Sequence, residues 1–274
     1  MTTEEVAGLR LGIDCAGQGA PTLVFVHGGF CDRGDWSAQM AALAPHYRVV
    51  AFDLPGHGES ALPAQPTVAA LGRAVRFVID CHGGGRVVLV GHSLGVDVVL
   101  ETWRQSSANV AGFVLIEGGL VANGDPTAAV GSVRDMIRAA GLQAFLDRSF
   151  SQMFVPTSDQ ALRERVMQRL TRLDPEFAQE IVLSKVHWDA SLAAHVLGTV
   201  NVPVLLLQST YFDAAFQRYS LTPGMTTPWT ELVARQIPDA QLRVMSGLGH
   251  FPHIEAPQAV NDSILEFVRR LRST

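Results

Sequence analysis

Cysteine is scarce, with only Cys15, Cys31 and Cys81 in 274 residues. An odd count without C-x-x-C spacing argues against a disulfide framework and a cysteine zinc site, so free thiols and no metal are expected. Charge is sparse as well, at 17% of residues with a formal net charge of −5 and no Lys/Arg cluster. The electrostatic footprint of a nucleic-acid or anionic-membrane partner is therefore missing. No apolar run reaches membrane-spanning length, and Met1-Thr2-Thr3-Glu4-Glu5 is acidic where a secretory leader would be basic, so a soluble cytoplasmic protein is the expectation. Repeats of solenoid period and low-complexity tracts are absent too.

What is present is apolar: 47% of residues are hydrophobic, enough for a single-core domain of this length. Runs rich in Val, Leu and Phe occur at Thr22–Val26, Arg48–Phe52, Arg86–Val90, Gly112–Ile116, Val202–Leu207 and Gln241–Met245. Each is nearly continuous in apolar residues, as a strand covered on both faces must be. Helical patterns lie between them, such as Leu94, Val98, Val99 and Trp103, or Val260, Ile264, Leu265, Val268 and Leu271 near the end. That alternation predicts an α/β fold, a mostly parallel central sheet with helices on both faces. Residues 123–198 break the rhythm with helical segments and no convincing strand. In that stretch Thr157-Ser158-Asp159-Gln160 reads as a capping box, and Asp174-Pro175 as an N-cap followed by proline at the first helical position. The expected division is a core of residues 1–122 and 199–274 with a helical cap, 123–198, over the carboxyl edge of the sheet, where such folds bind ligands.

Gly91-His92-Ser93-Leu94-Gly95 follows a strand and opens a helix. A G-x-S-x-G match is weak alone, but a strand-to-helix turn forces its serine into a strained conformation that exposes the hydroxyl, while the glycines remove side chains that would clash. The next helix aims its N-terminal amides at the same spot. An earlier strand ends in His27-Gly28-Gly29-Phe30, so the amides of Gly29 and Leu94 can serve as two oxyanion donors. After the last strand comes Ser246-Gly247-Leu248-Gly249-His250-Phe251, which places His250 where a base for Ser93 belongs in the chain order serine, acid, histidine. His253 lies in the approach to the final helix, and His92 is read as packing beneath the turn.

With these residues in hand, the chain resembles the α/β-hydrolase superfamily, as a serine-nucleophile, capped, esterase- or lactonase-like member. His27–Phe30, Asp53-Leu54-Pro55-Gly56-His57-Gly58-Glu59-Ser60, Gly91–Gly95 and Gly249-His250 are similar to that family's landmarks in order and spacing. The resemblance implies structural roles for Asp53, His57 and Glu59. It also implies an acid, usually an aspartate in a His-Gly-x-x-Asp-like loop after the strand at Val202–Leu207. This chain reads Gln208-Ser209-Thr210-Tyr211-Phe212-Asp213 there, without the glycine and with its carboxylate about one residue later. Some members carry the acid after the preceding strand, where this chain has Glu117. Glu117 is taken as the acid and Asp213 as the alternative; Asp97, in the helix after the elbow, has no role in this reading.

The resulting expectation is a serine hydrolase cleaving an ester-type acyl bond of a small-molecule substrate through an acyl-enzyme, without cofactor. A lactonase or carbon–carbon bond hydrolase is the alternative chemistry, and a slow-turnover ligand receptor the alternative class. Phe30, Met153, Phe154 and Trp188 are the candidate substrate contacts, although helical spacing in residues 123–198 equally suits core packing.

Overall fold

In the computed structural model, which describes residues 2–6, 9–212 and 217–271, the apolar runs are the strands of one sheet. The strands are β1 (Thr2–Val6), β2 (Leu9–Ala16), β3 (Thr22–Val26), β4 (Val49–Phe52), β5 (Val87–His92), β6 (Val110–Ile116), β7 (Val204–Gln208), β8 (Thr210–Phe212), β9 (Arg218–Ser220) and β10 (Gln241–Val244). Eight of them pair in the order β1-β2-β4-β3-β5-β6-β7-β10, and β8 and β9 form a separate hairpin. From β4 to β10 all neighbours run parallel, while β1 and β2 add an antiparallel edge. That antiparallel pair has no counterpart in the strands expected from the sequence.

The helices are α1 (Ser37–Leu43), α2 (Val68–His82), α3 (Leu94–Gln105), α4 (Pro126–Ala140), α5 (Leu142–Ser151), α6 (Gln160–Leu170), α7 (Pro175–Ser191), α8 (Ala193–Leu197), α9 (Pro228–Gln236), α10 (Pro252–Glu255) and α11 (Pro257–Arg270). Successive strand side chains point to opposite faces. In β3, Val24 and Val26 join the core under α2 and α3, whereas Leu23 and Phe25 join Trp36, Leu43, Ile264 and Phe267 under α1 and α11. Both faces are covered, which is why these strands read as unbroken apolar runs. β10 departs from that pattern: it is an edge strand, only partly buried, with Leu242 exposed.

Helices α4 to α8 lie between β6 and β7. Asp174 caps α7, accepting from the amide of Phe177 at 2.8 Å, with Pro175 opening the helix. The expected capping box at Thr157 is replaced by a simpler cap, because α6 starts at Gln160 and its N-cap is Asp159, which accepts from Ala161 N at 2.9 Å. α7 packs on α2 and α3, and α8 on α3 and α9, so the second half of this excursion is fastened to the sheet layer.

Candidate active site

Ser93 sits between β5 and α3 with φ 52° and ψ −119°, a left-handed backbone that is costly for a residue with a β-carbon. The turn closes only because its glycines lack side chains. A Cβ on Gly95 would lie 2.3 Å from the carbonyl oxygen of Val26, and one on Gly91 would lie 2.5 Å from that of Gly95. Both obstacles are backbone and cannot rotate away. Phe30 (φ 59°) and Glu117 (φ 54°) also have positive φ, so three of the four non-glycine positive-φ residues among the described ones surround one site at the carboxyl edge of the sheet. Backbone strain of this kind persists where the surroundings over-determine it, and it concentrates at functional sites.

The imidazole of His250 bridges the residues that follow two neighbouring strands, β5 and β6. Its Nε2 is 2.9 Å from Ser93 Oγ, and its Nδ1 is 2.8 Å from Glu117 Oε2. The ring is positioned through its own backbone: His250 N donates to Met153 O at 2.8 Å, and His92 Nε2 donates to His250 O at 2.7 Å. His92 thus supports the loop that carries His250. The buried ring of His253 packs on those of Trp36 and His92, with centroids 4.5 and 4.4 Å away.

Glu117 is held at the end of β6 by donors from the chain after β7. Its Oε1 accepts from Ser209 N at 2.5 Å and Thr210 N at 2.8 Å; Oε2 also accepts from Thr210 Oγ1. Ser209 and Thr210 thus stand, at the place where the superfamily usually carries its acid, as partners of a carboxylate from the neighbouring strand. Asp213, the alternative acid, lies outside the described residues. Arg218, from β9, reaches the same carboxylate: its Nη1 is 3.3 Å from Glu117 Oε2, 2.6 Å from Thr210 Oγ1 and 2.8 Å from His250 Nδ1. Burial pushes its guanidinium down to about 10, with Glu117 acting against the shift. Burial and then Arg218 hold His250 well below the usual histidine value.

The amides of Gly29 and Leu94 have no acceptor among the described residues, and both residues line a cavity of about 570 Å³ in front of Ser93. Gly28 allows this approach, since a Cβ there would lie 2.8 Å from His92 Nδ1. Phe30 and Met153 line the cavity together with Leu120, Val121, Ile181 and Val182. Phe154 and Trp188 do not. Phe154 stacks on Phe251 with ring centroids 5.5 Å apart, and Trp188 is buried between α7 and α3, donating to Glu101 Oε2 at 3.0 Å. Helical spacing marked both as packing or pocket residues, and packing is where they are.

Asp97 finds its partner here. Lys185, the single lysine of the sequence, points from α7 with Nζ 2.7 Å from Asp97 Oδ2 and 2.9 Å from Asp189 Oδ2. The superfamily landmark residues are structural too: Asp53 accepts from Arg33 N at 2.7 Å and from its guanidinium, and Glu59 Oε2 takes Arg33 Nη2 at 2.5 Å. His57 stays neutral, burial pushing it down to about 3. No group of three His, Cys, Asp or Glu among the described residues is arranged to hold a metal ion. No helix of the described residues is long and apolar enough to cross a membrane.

A family model described as the Alpha/beta hydrolase family matches residues 23–263, and the chain belongs to that family. Among curated relatives, a dihydrolipoyllysine-residue acetyltransferase component of an acetoin cleaving system from Pseudomonas putida is 28% identical, over 97% of this chain and 68% of that one. A Cronobacter turicensis protein named as a carbamate hydrolase, RutD, is 28% identical over 89% of each. Among solved structures, a thermophilic esterase from Thermogutta terrifontis superposes with a TM-score of 0.79 at 25% identity, covering 98% of both chains.

Proposed function

We propose that this chain is a serine hydrolase of ester-type acyl bonds, with Ser93 as nucleophile, His250 as general base and Glu117 as the acid that orients it. The observation that carries this reading is the continuous chain of contacts from Ser93 Oγ to His250 Nε2 at 2.9 Å and from Nδ1 to Glu117 at 2.8 Å. Ser93 Oγ gives its proton to His250 as it attacks the substrate carbonyl carbon, and the imidazolium formed is stabilised by Glu117. The tetrahedral oxyanion is received by the amides of Gly29 and Leu94. Collapse expels the alcohol, which takes the proton from His250, and leaves an acyl-serine. Water, deprotonated by the same histidine, then attacks that ester and releases the acid.

The cavity favours an apolar small-molecule substrate, since Phe30, Leu120, Val121, Ile181, Val182 and Met153 form its walls. Residues 123–198 act as the cap over it, on a core of residues 1–122 and 199–274. The resemblance to an esterase and to a protein named for carbamate hydrolysis fits attack on an activated carbonyl.

The test is labelling by a neutral fluorophosphonate together with turnover of short 4-nitrophenyl esters. Wild type is labelled once and turns over; Ser93→Ala does neither and falls at least about 10³-fold in kcat. Well-folded wild type that is neither labelled nor active would point to a ligand receptor.

A further inference from the structure

Three charged side chains line the cavity, Arg148, Lys185 and Arg218, and among the described residues no carboxylate does. Lys185 is enclosed by Asp97 and Asp189, and Arg148 is exposed on α5. Arg218 is only partly satisfied. Every polar contact it makes runs through Nη1, to Thr210, Glu117 and His250. Its Nε is buried without a partner, and Nη2 makes no hydrogen bond among the described residues. Nε and Nη2 form the side-on fork with which arginine grips a carboxylate through two parallel hydrogen bonds. The guanidinium lies over the Phe212 ring, 4.1 Å from its centroid, so its plane is held by stacking as well. Nε is closed off by its surroundings, so Nη2 is the donor that a ligand in the cavity meets first, with Nε beside it to complete the fork as the carboxylate settles.

The charges around the base point the same way. At rest, Glu117 and Arg218 cancel. When His250 takes the proton of Ser93, two cations stand beside one carboxylate, with Nη1 only 2.8 Å from Nδ1. An anion on the open edge of Arg218 restores the balance at the moment the imidazolium forms.

We propose that Arg218 is a specificity-determining residue that receives a carboxylate of the substrate, so that the preferred substrates are apolar esters carrying a carboxylate a few bonds from the scissile carbonyl. The separation is short, because Arg218 reaches Ser93 Oγ across one imidazole ring, through contacts of 2.8 and 2.9 Å. This rests on the serine-hydrolase reading above.

The test uses the full chain and compares 4-nitrophenyl monoesters of glutaric and adipic acid with the neutral 4-nitrophenyl pentanoate and hexanoate. Wild type, Arg218→Gln and Arg218→Lys are each measured for kcat and KM. In wild type, kcat/KM for the monoesters exceeds that for the neutral esters by roughly tenfold or more, part of it in kcat, because the balancing charge matters most in the transition state. Arg218→Gln lowers that ratio at least about tenfold, and Arg218→Lys keeps part of it, as a charge without the fork would. An unchanged ratio in Arg218→Gln, or a wild type that favours the neutral esters, overturns the carboxylate site alone if Ser93 is still labelled by the fluorophosphonate. No labelling and no turnover of any ester overturns the hydrolase reading and this site together.

Discussion

For the base role proposed for His250, the imidazole must be neutral, and its environment keeps it so. Burial disfavours the charged ring most, followed by Arg218, His92 and Lys185, while Glu117 favours the imidazolium once it forms. A base pKa depressed below the ordinary 6.5 leaves the neutral form dominant further into acid. The acid limb of the kcat/KM profile is therefore expected to fall at a midpoint below that value, with no loss of rate between pH 7 and about 6.5. A limb centred above 7 would contradict the assignment. The acid itself separates by substitution: Glu117→Gln is expected to lower kcat by about 10² to 10⁴, because the tautomer and orientation of His250 depend on it. Asp213→Ala should cost far less, and steady-state kinetics on the two variants gives the ranking.

At the scale of elements, α3 and α7 are joined by the Asp97–Lys185–Asp189 cluster, which fastens the helical excursion to the elbow helix. Burial pushes the carboxyl of Asp97 up to about 8, outweighing the attraction of Lys185. The sign follows from where the proton is held more tightly. The folded pKa lies above the unfolded value near 3.8, so this group favours the folded state at low pH, and its contribution is lost as pH rises through about 8. Thermal stability of Asp97→Asn is thus expected to decline less between about pH 5 and 8 than that of wild type, as read by melting curves across that range. Asp97 had no account in the sequence because its partner is on a helix 88 positions away in numbering, Lys185, and nothing local announces it. Arg218, Ser209 and Thr210 escaped sequence reading for the same reason: they act on Glu117 through pairing between strands β6 and β7 and the β8–β9 hairpin. A cap such as Asp174 was readable because its partner, the amide of Phe177, is three residues on.

For the whole molecule, the aromatic residues of the excursion divide between pocket and core in a way that activity and stability can separate. Trp188 is buried against α3 and bonded to Glu101, outside the cavity. Trp188→Ala is expected to destabilise the fold by about 3–5 kcal/mol in denaturant titration, while the folded fraction retains the wild-type ranking of acyl substrates. A changed ranking at unchanged stability would move Trp188 into the substrate site.

Chain order and local chemistry were enough to determine the α/β architecture, the tight strand-to-helix turn at Gly91–Gly95 and the histidine loop after the last strand. Those features depend on side-chain alternation, on glycine at turns and on the hydrophobic period, all of which act over a few residues. Only the tertiary structure decided which carboxylate meets His250, what Asp97 is for, that Arg218 stands beside the base, and that Phe154 and Trp188 pack away from the cavity. Each of these depends on which side chains from remote elements approach within a hydrogen bond of one another. That is set by strand order, helix packing and rotamer, and a linear pattern does not carry it.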